Sequence, residues 1–147
     1  MTISKHIKFG TTGKLDSMVN KILVKHFKLV FGIYTNRGFR VKLVMDDNQF
    51  ESLRGDIADL GANINVVSHD EHVPNIKRYI FTIKEHVRAT HNMTPFKFIP
   101  PIFIVEMVYA NVFWRNIFPI KGGISSTQGP AEIIINRAMD FNTYRKL

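Results

Sequence analysis

The period of the apolar residues changes along this chain, and that change limits the folds open to it. Leu15, Val19, Ile22, His26, Leu29 and Ile33 recur at three- and four-residue steps, the spacing of one helical face. Leu23, Phe27 and Val30 widen that face, and Lys21, Lys25 and Lys28 line the other side. Phe39–Met45 then alternates, with Val41, Leu43 and Met45 set against Arg40, Lys42 and Val44, the two-residue period of a strand. Phe50, Leu53, Ile57 and Leu60 return to helical spacing, Asn63–Val67 to strand, and Val73, Ile76, Ile80, Ile83 and Val87 to helix. Strands alternating with helical segments call for an α/β architecture.

Local stop signals agree with these segments. Gly38 and Gly61 follow the first and second helical runs, where a left-handed cap suits glycine. Pro74, Pro101 and Pro130 stand where a helix accepts proline in its first turn. The expected order is strand 2–9, helix 15–34, strand 39–45, short helix 50–60, strand 63–67 and helix 74–91. These make a core over residues 1–92, with a helical extension over 93–147. Within the extension, Pro101–Phe118 reads as an apolar helix, and its Phe113, Trp114 and Phe118 as core aromatics.

Composition removes several functions. The 147 residues contain no cysteine, so disulfides, thiolate metal sites and cysteine nucleophiles are excluded. Ile102–Phe118 is the longest apolar stretch, and Glu106, Asn111, Arg115 and Asn116 interrupt it, so no membrane span is expected. Met1–Lys14 lacks the apolar segment of a secretory leader, which leaves an intracellular location, cytoplasm or nucleus. Twenty Lys and Arg against twelve Asp and Glu give a net charge of +8, which points to a polyanionic partner.

Three clusters carry candidate chemistry. Asp46-Asp47-Asn48 ends a strand, where open α/β sheets place ligands, so Asp47 is a candidate Mg²⁺ ligand, although an Asp-Asn turn closing a strand is the commoner reading of such a run. His69-Asp70-Glu71-His72 holds four adjacent donors, but neighbours in sequence rarely converge on one metal, and acids there also suit a helix start. Lys77, Lys84, Arg88 and His91 share one face of the 74–91 helix, either as phosphate contacts or as a solvated face.

The residues over 37–89 resemble a known family. They carry Arg37-Gly38-Phe39, then Asp47-x-x-Phe50-Glu51, then Asp70-Glu71-His72-Val73-Pro74, then Lys77-Arg78-Tyr79-Ile80-Phe81-Thr82-Ile83-Lys84-Glu85. In this order they resemble the integrase core of copia-type retrotransposon polyproteins. Thr2–Thr12 and Glu106–Ile134 resemble the flanking parts of the same cores. The resemblance implies a ribonuclease-H-like, retroviral-integrase-type fold that joins DNA by Mg²⁺-dependent strand transfer on two Asp and one Glu. It assigns Asp47 to the second catalytic Asp.

Two departures accompany it. Lys77 stands at the position of the family's catalytic Glu, and Lys offers no lone pair to a metal. Glu71 is the nearest substitute ligand. The family's first strand, bearing its first catalytic Asp, has no counterpart, so an incomplete sheet with an open edge on Phe39–Met45 is expected. The functional expectation is an impaired integrase-core segment with at most residual DNA binding through Lys77, Lys84 and Arg88. The alternatives are a non-catalytic nucleic-acid- or protein-binding module on the same scaffold, or a remnant without function.

Overall fold

The computed structural model describes residues 1–46, 48–66 and 74–140. In chain order these form β1 Thr2–Ile3, β2 Gly10–Thr11, α1 Asn20–Thr35, β3 Leu43–Asp46, α2 Arg54–Asp59, β4 Asn63–Val66, α3 Pro74–Met93, α4 Pro101–Ile117 and α5 Pro130–Ile135. A 3-10 segment, Asn48–Leu53, leads into α2.

The ends of α1 and α2 follow from two glycines. Gly38 and Gly61 take φ of 78° and 82°, a region that an L side chain enters only at a cost. Past α1, the Phe39 amide donates to Tyr34 O and the Gly38 amide to Thr35 O, both at 3.0 Å. Past α2, the Ala62 amide donates to Ile57 O and the Gly61 amide to Ala58 O. Both are Schellman closures, and in each an apolar residue beyond the glycine packs in the same cluster as the helix residue that accepts its amide. For α2 that pair is Ala62 and Ile57; for α1 it is Phe39 and Tyr34.

The chain is mixed α/β, and its strands form two separate pairs. β3 and β4 run parallel, with Val44 opposite Ile64 and Asp46 opposite Val66, and α2 makes the crossover between them. β1 and β2 pair antiparallel with each other. The continuous strand expected over 2–9 is therefore a tight hairpin. Lys8 turns the chain at φ 63°, and the Phe9 amide donates to Ser4 Oγ and its carbonyl accepts from the Ser4 amide.

The strand expected over 39–45 is likewise shorter and of opposite phase. Val44 packs toward the core, while Leu43 and Met45 are 52% and 46% exposed. Val41 precedes the strand, so its inward packing does not set the phase of the residues after it.

Three apolar clusters hold these elements. Leu23, Phe27 and Phe31 of α1 pack on Leu53, Ile57, Ala62 and Ile64, which covers one face of the β3–β4 pair. Ile7, Val30, Tyr34 and Ile134 join the hairpin, α1 and α5. Tyr79, Ile83 and Val87 of α3 pack on Val112 of α4, with Ile3 of β1 against them.

The hairpin is fixed to α3 and α4 by a polar contact. The Asn116 side-chain carbonyl accepts from the Gly10 amide and its amide donates to Gly10 O, both at 2.8 Å and buried. Gly10 also lies on Tyr79: a Cβ placed there would sit 2.0 Å from the Tyr79 hydroxyl. No helix among the described residues is long and apolar enough to cross a membrane.

Candidate functional site

The basic stripe anticipated on the 74–91 helix lies on α3. Tyr79, Ile83 and Val87 bury one side of α3, and Lys77, Lys84 and Arg88 are exposed beside it. Phe81, 62% exposed, sits between Lys77 and Lys84 along the helix. Two of the three cations are already engaged. Arg88 pairs with Glu85 one turn away, and Lys77 has a partner as well. An exposed i,i+3 pair is worth little to stability, but it lowers the positive potential that a polyanion meets.

The family-type metal site meets a different outcome. Asp47 and Glu71, with the rest of His69–His72, lie outside the described residues. Asp46, the last residue of β3, is half-buried and has a partner. Glu51 is committed to Arg54, whose Nε and Nη2 donate to its two carboxylate oxygens at 2.7 and 2.9 Å. Those hydrogen bonds hold the Glu51 carboxyl below its ordinary pKa.

Lys77 stands in the first turns of α3, where the resemblance requires an acid. An ammonium donates three hydrogen bonds and accepts none, so it cannot ligate Mg²⁺ and would repel it. Among the described residues no group of three His, Asp or Glu is arranged to hold a metal.

A second basic surface was not singled out from the sequence. Asn20, Lys21, Val24, Lys25 and Lys28 of α1 and Asp56 of α2 line a groove of about 540 Å³. The four- and three-residue steps of the lysines are visible in the sequence. What turns a lysine row into one wall of a groove is the docking of α2, which only the tertiary packing supplies.

The aromatic trio on α4 also departs from expectation. Phe113, Trp114 and Phe118 are 39%, 46% and 53% exposed, not core. Their rings pack on one another: Phe113 and Trp114 meet edge-on at 5.7 Å, and Trp114 stacks on Phe118 at 6.2 Å. The buried face of α4 is instead carried by Val112, Asn116 and Ile117.

No family model, curated protein or solved structure matches the chain.

Proposed function

We propose that the chain is a segment of a ribonuclease-H-like integrase core that has lost Mg²⁺-dependent strand transfer and keeps nucleic-acid binding. The carrying observation is the parallel β3–α2–β4 unit, with α1 before it and α3 after it and Lys77 near the start of α3. This is the element order the resemblance implies, and Lys77, a cation, stands where the resemblance expects the catalytic Glu. The net charge of +8 supports a nucleic-acid partner.

Strand transfer and 3′-processing on a labelled duplex, in Mg²⁺ and in Mn²⁺, test the loss of catalysis. No product is expected. Product that disappears in Asp47→Ala refutes the proposal. Duplex affinity measured against salt tests the binding, with a log–log slope of about −0.9 for each phosphate neutralised.

A protein-binding module on the same scaffold is a second reading, favoured by the exposed Phe113–Trp114–Phe118 cluster. Sedimentation of the chain, and of a Trp114→Ser variant, tests it through any association that this residue controls.

A further inference from the structure

We propose that the groove between α1 and α2 is a binding site for the phosphodiester backbone of nucleic acid, with Lys21, Lys25 and Lys28 as the phosphate contacts. This rests on the nucleic-acid-binding reading and moves its contact surface from α3 to α1.

Three observations on α1 carry the inference. The first is placement: Lys21, Lys25 and Lys28 line one groove, over a floor that includes half-buried Val24. At 1.5 Å per residue, their Cα atoms step by about 6 and 4.5 Å along the helix, a regular row of charge that can follow a strand of phosphates.

The second is that the groove carries excess positive charge, three lysines against the single carboxylate of Asp56. Among the described residues the salt bridges of Arg54 with Glu51 and of Arg88 with Glu85 involve no lysine of the groove. α1 has no acid in its first turn. Like charges at i,i+4 and i,i+3 repel, so an anion in the groove relieves a repulsion that the fold leaves standing. The α3 stripe differs, because Glu85 already pairs with Arg88.

The third is the kind of cation. The groove contains lysine and no arginine. Lysine meets phosphate as a mobile point charge that tolerates any approach of the backbone, which suits contact independent of base sequence. Asp56 is the one carboxylate on the opposite wall, and it weakens the site it faces. Asn20 is tied to Ser52 at 3.2 Å, which fixes the rim of the groove to the segment before α2.

The test is fluorescence anisotropy of a labelled DNA duplex titrated with the full chain across a range of KCl concentrations. Lys21→Gln/Lys25→Gln/Lys28→Gln is compared with Lys77→Gln/Lys84→Gln/Arg88→Gln, and circular dichroism checks that both remain helical. The α1 variant is expected to reduce the log–log salt slope by about 2.7, which is three contacts at about 0.9 each. The α3 variant is expected to leave the slope nearly unchanged. Asp56→Asn is expected to tighten binding, and arginine at all three α1 positions to restore it.

An unchanged slope in the α1 variant, with a reduced slope in the α3 variant, overturns the α1 site and leaves the nucleic-acid reading standing. A wild-type chain that does not bind the duplex overturns both.

Discussion

Replacing Tyr79 by Phe should stabilise the chain, against the usual result for a buried tyrosine. Tyr79 is 3% exposed, and its hydroxyl has no hydrogen-bond partner among the described residues. A buried polar group left unpaired costs about 1–3 kcal/mol. Removing the oxygen leaves a void of roughly 15 Å³, which at about 24 cal/mol per Å³ returns about 0.4 kcal/mol of that. The net expectation is a gain of about 0.6–2.6 kcal/mol, or a melting temperature about 2–8 °C higher for a domain of this size. The ring is kept, so Arg115, whose guanidinium lies 5.6 Å from the ring centre, keeps its contact. Urea unfolding followed by Trp114 fluorescence and by circular dichroism measures the change. A loss of 1 kcal/mol or more would refute the reasoning, because it would mean that the hydroxyl is hydrogen-bonded in solution.

The same substitution has a signature in pH. Burial pushes the Tyr79 hydroxyl up to about 12, with Arg115 pulling weakly the other way. The unfolded phenol ionises near 10, so between about pH 10 and 12 the folded state holds a proton that the unfolded state has released. Stability is therefore complete below about 10 and falls as pH rises toward 12. Tyr79→Phe should make this alkaline loss shallower. It should not abolish the loss, because burial raises Tyr34 as well. Gly10→Ala should destabilise the wild type, where the added Cβ meets the hydroxyl at 2.0 Å. Tyr79→Phe should rescue it only in part, because ring carbon Cζ still lies 2.5 Å away.

Asn116→Ala should cost about 2–4 kcal/mol in urea unfolding, since it strands both the amide and the carbonyl of Gly10 in a buried site. Leu53→Ala should cost about 2–5 kcal/mol, because Leu53 is fully buried where α1, α2 and β4 meet. His26 is held below its ordinary pKa, first by burial and then by the Met1 ammonium. Its contribution to stability is thus present above about pH 6.5 and is lost as pH falls through the lowered folded value. His26→Gln should flatten that acid limb in a pH series of thermal melts.

Features written by neighbouring residues were legible in the sequence. Gly38 and Gly61 stop their helices, and the prolines at 74, 101 and 130 begin theirs. The Ile83–Val87 side of α3 is buried as its spacing requires. The choice among competing apolar stripes was not legible. On α1 the spacing through Val19, Leu29 and Ile33 is as regular as that through Leu23, Phe27, Phe31 and Tyr34. The structure exposes the first set at 60%, 64% and 38% and buries the second. Ile57, Leu53, Ile7 and Ile134 decide this, and they come from elsewhere in the chain. β3 repeats the lesson: with a period of two, either phase has an apolar face, and contact with α1 and α2 selects Val44 over Leu43 and Met45. The hairpin turn at Lys8 had no local signal either, since lysine has no preference for the left-handed region it occupies. The candidate site divides in the same way. The Lys77, Lys84 and Arg88 row was visible as a spacing, but the α1 groove needed α2 to form its far wall.

Metal chemistry and polyanion binding tolerate sequence change very differently, and this separates the two halves of the proposed function. A two-metal centre needs every ligand at once, so on the proposed reading a single ligand position held by Lys77 removes the chemistry however well the remainder folds. Phosphate binding is a sum of similar terms. Each lysine adds about 0.9 to the salt slope, and one more or fewer changes the affinity without ending it. Lys77 and the groove lysines stand on different helices, α3 and α1. Asn116, Tyr79 and Gly10 fasten the hairpin to α3 and α4, while the lysine groove stands on α1 and α2 over their own core. Change near the start of α3 can therefore accumulate without disturbing the packing that places Lys21, Lys25 and Lys28. On the proposed reading, such a chain loses catalysis abruptly and nucleic-acid binding gradually.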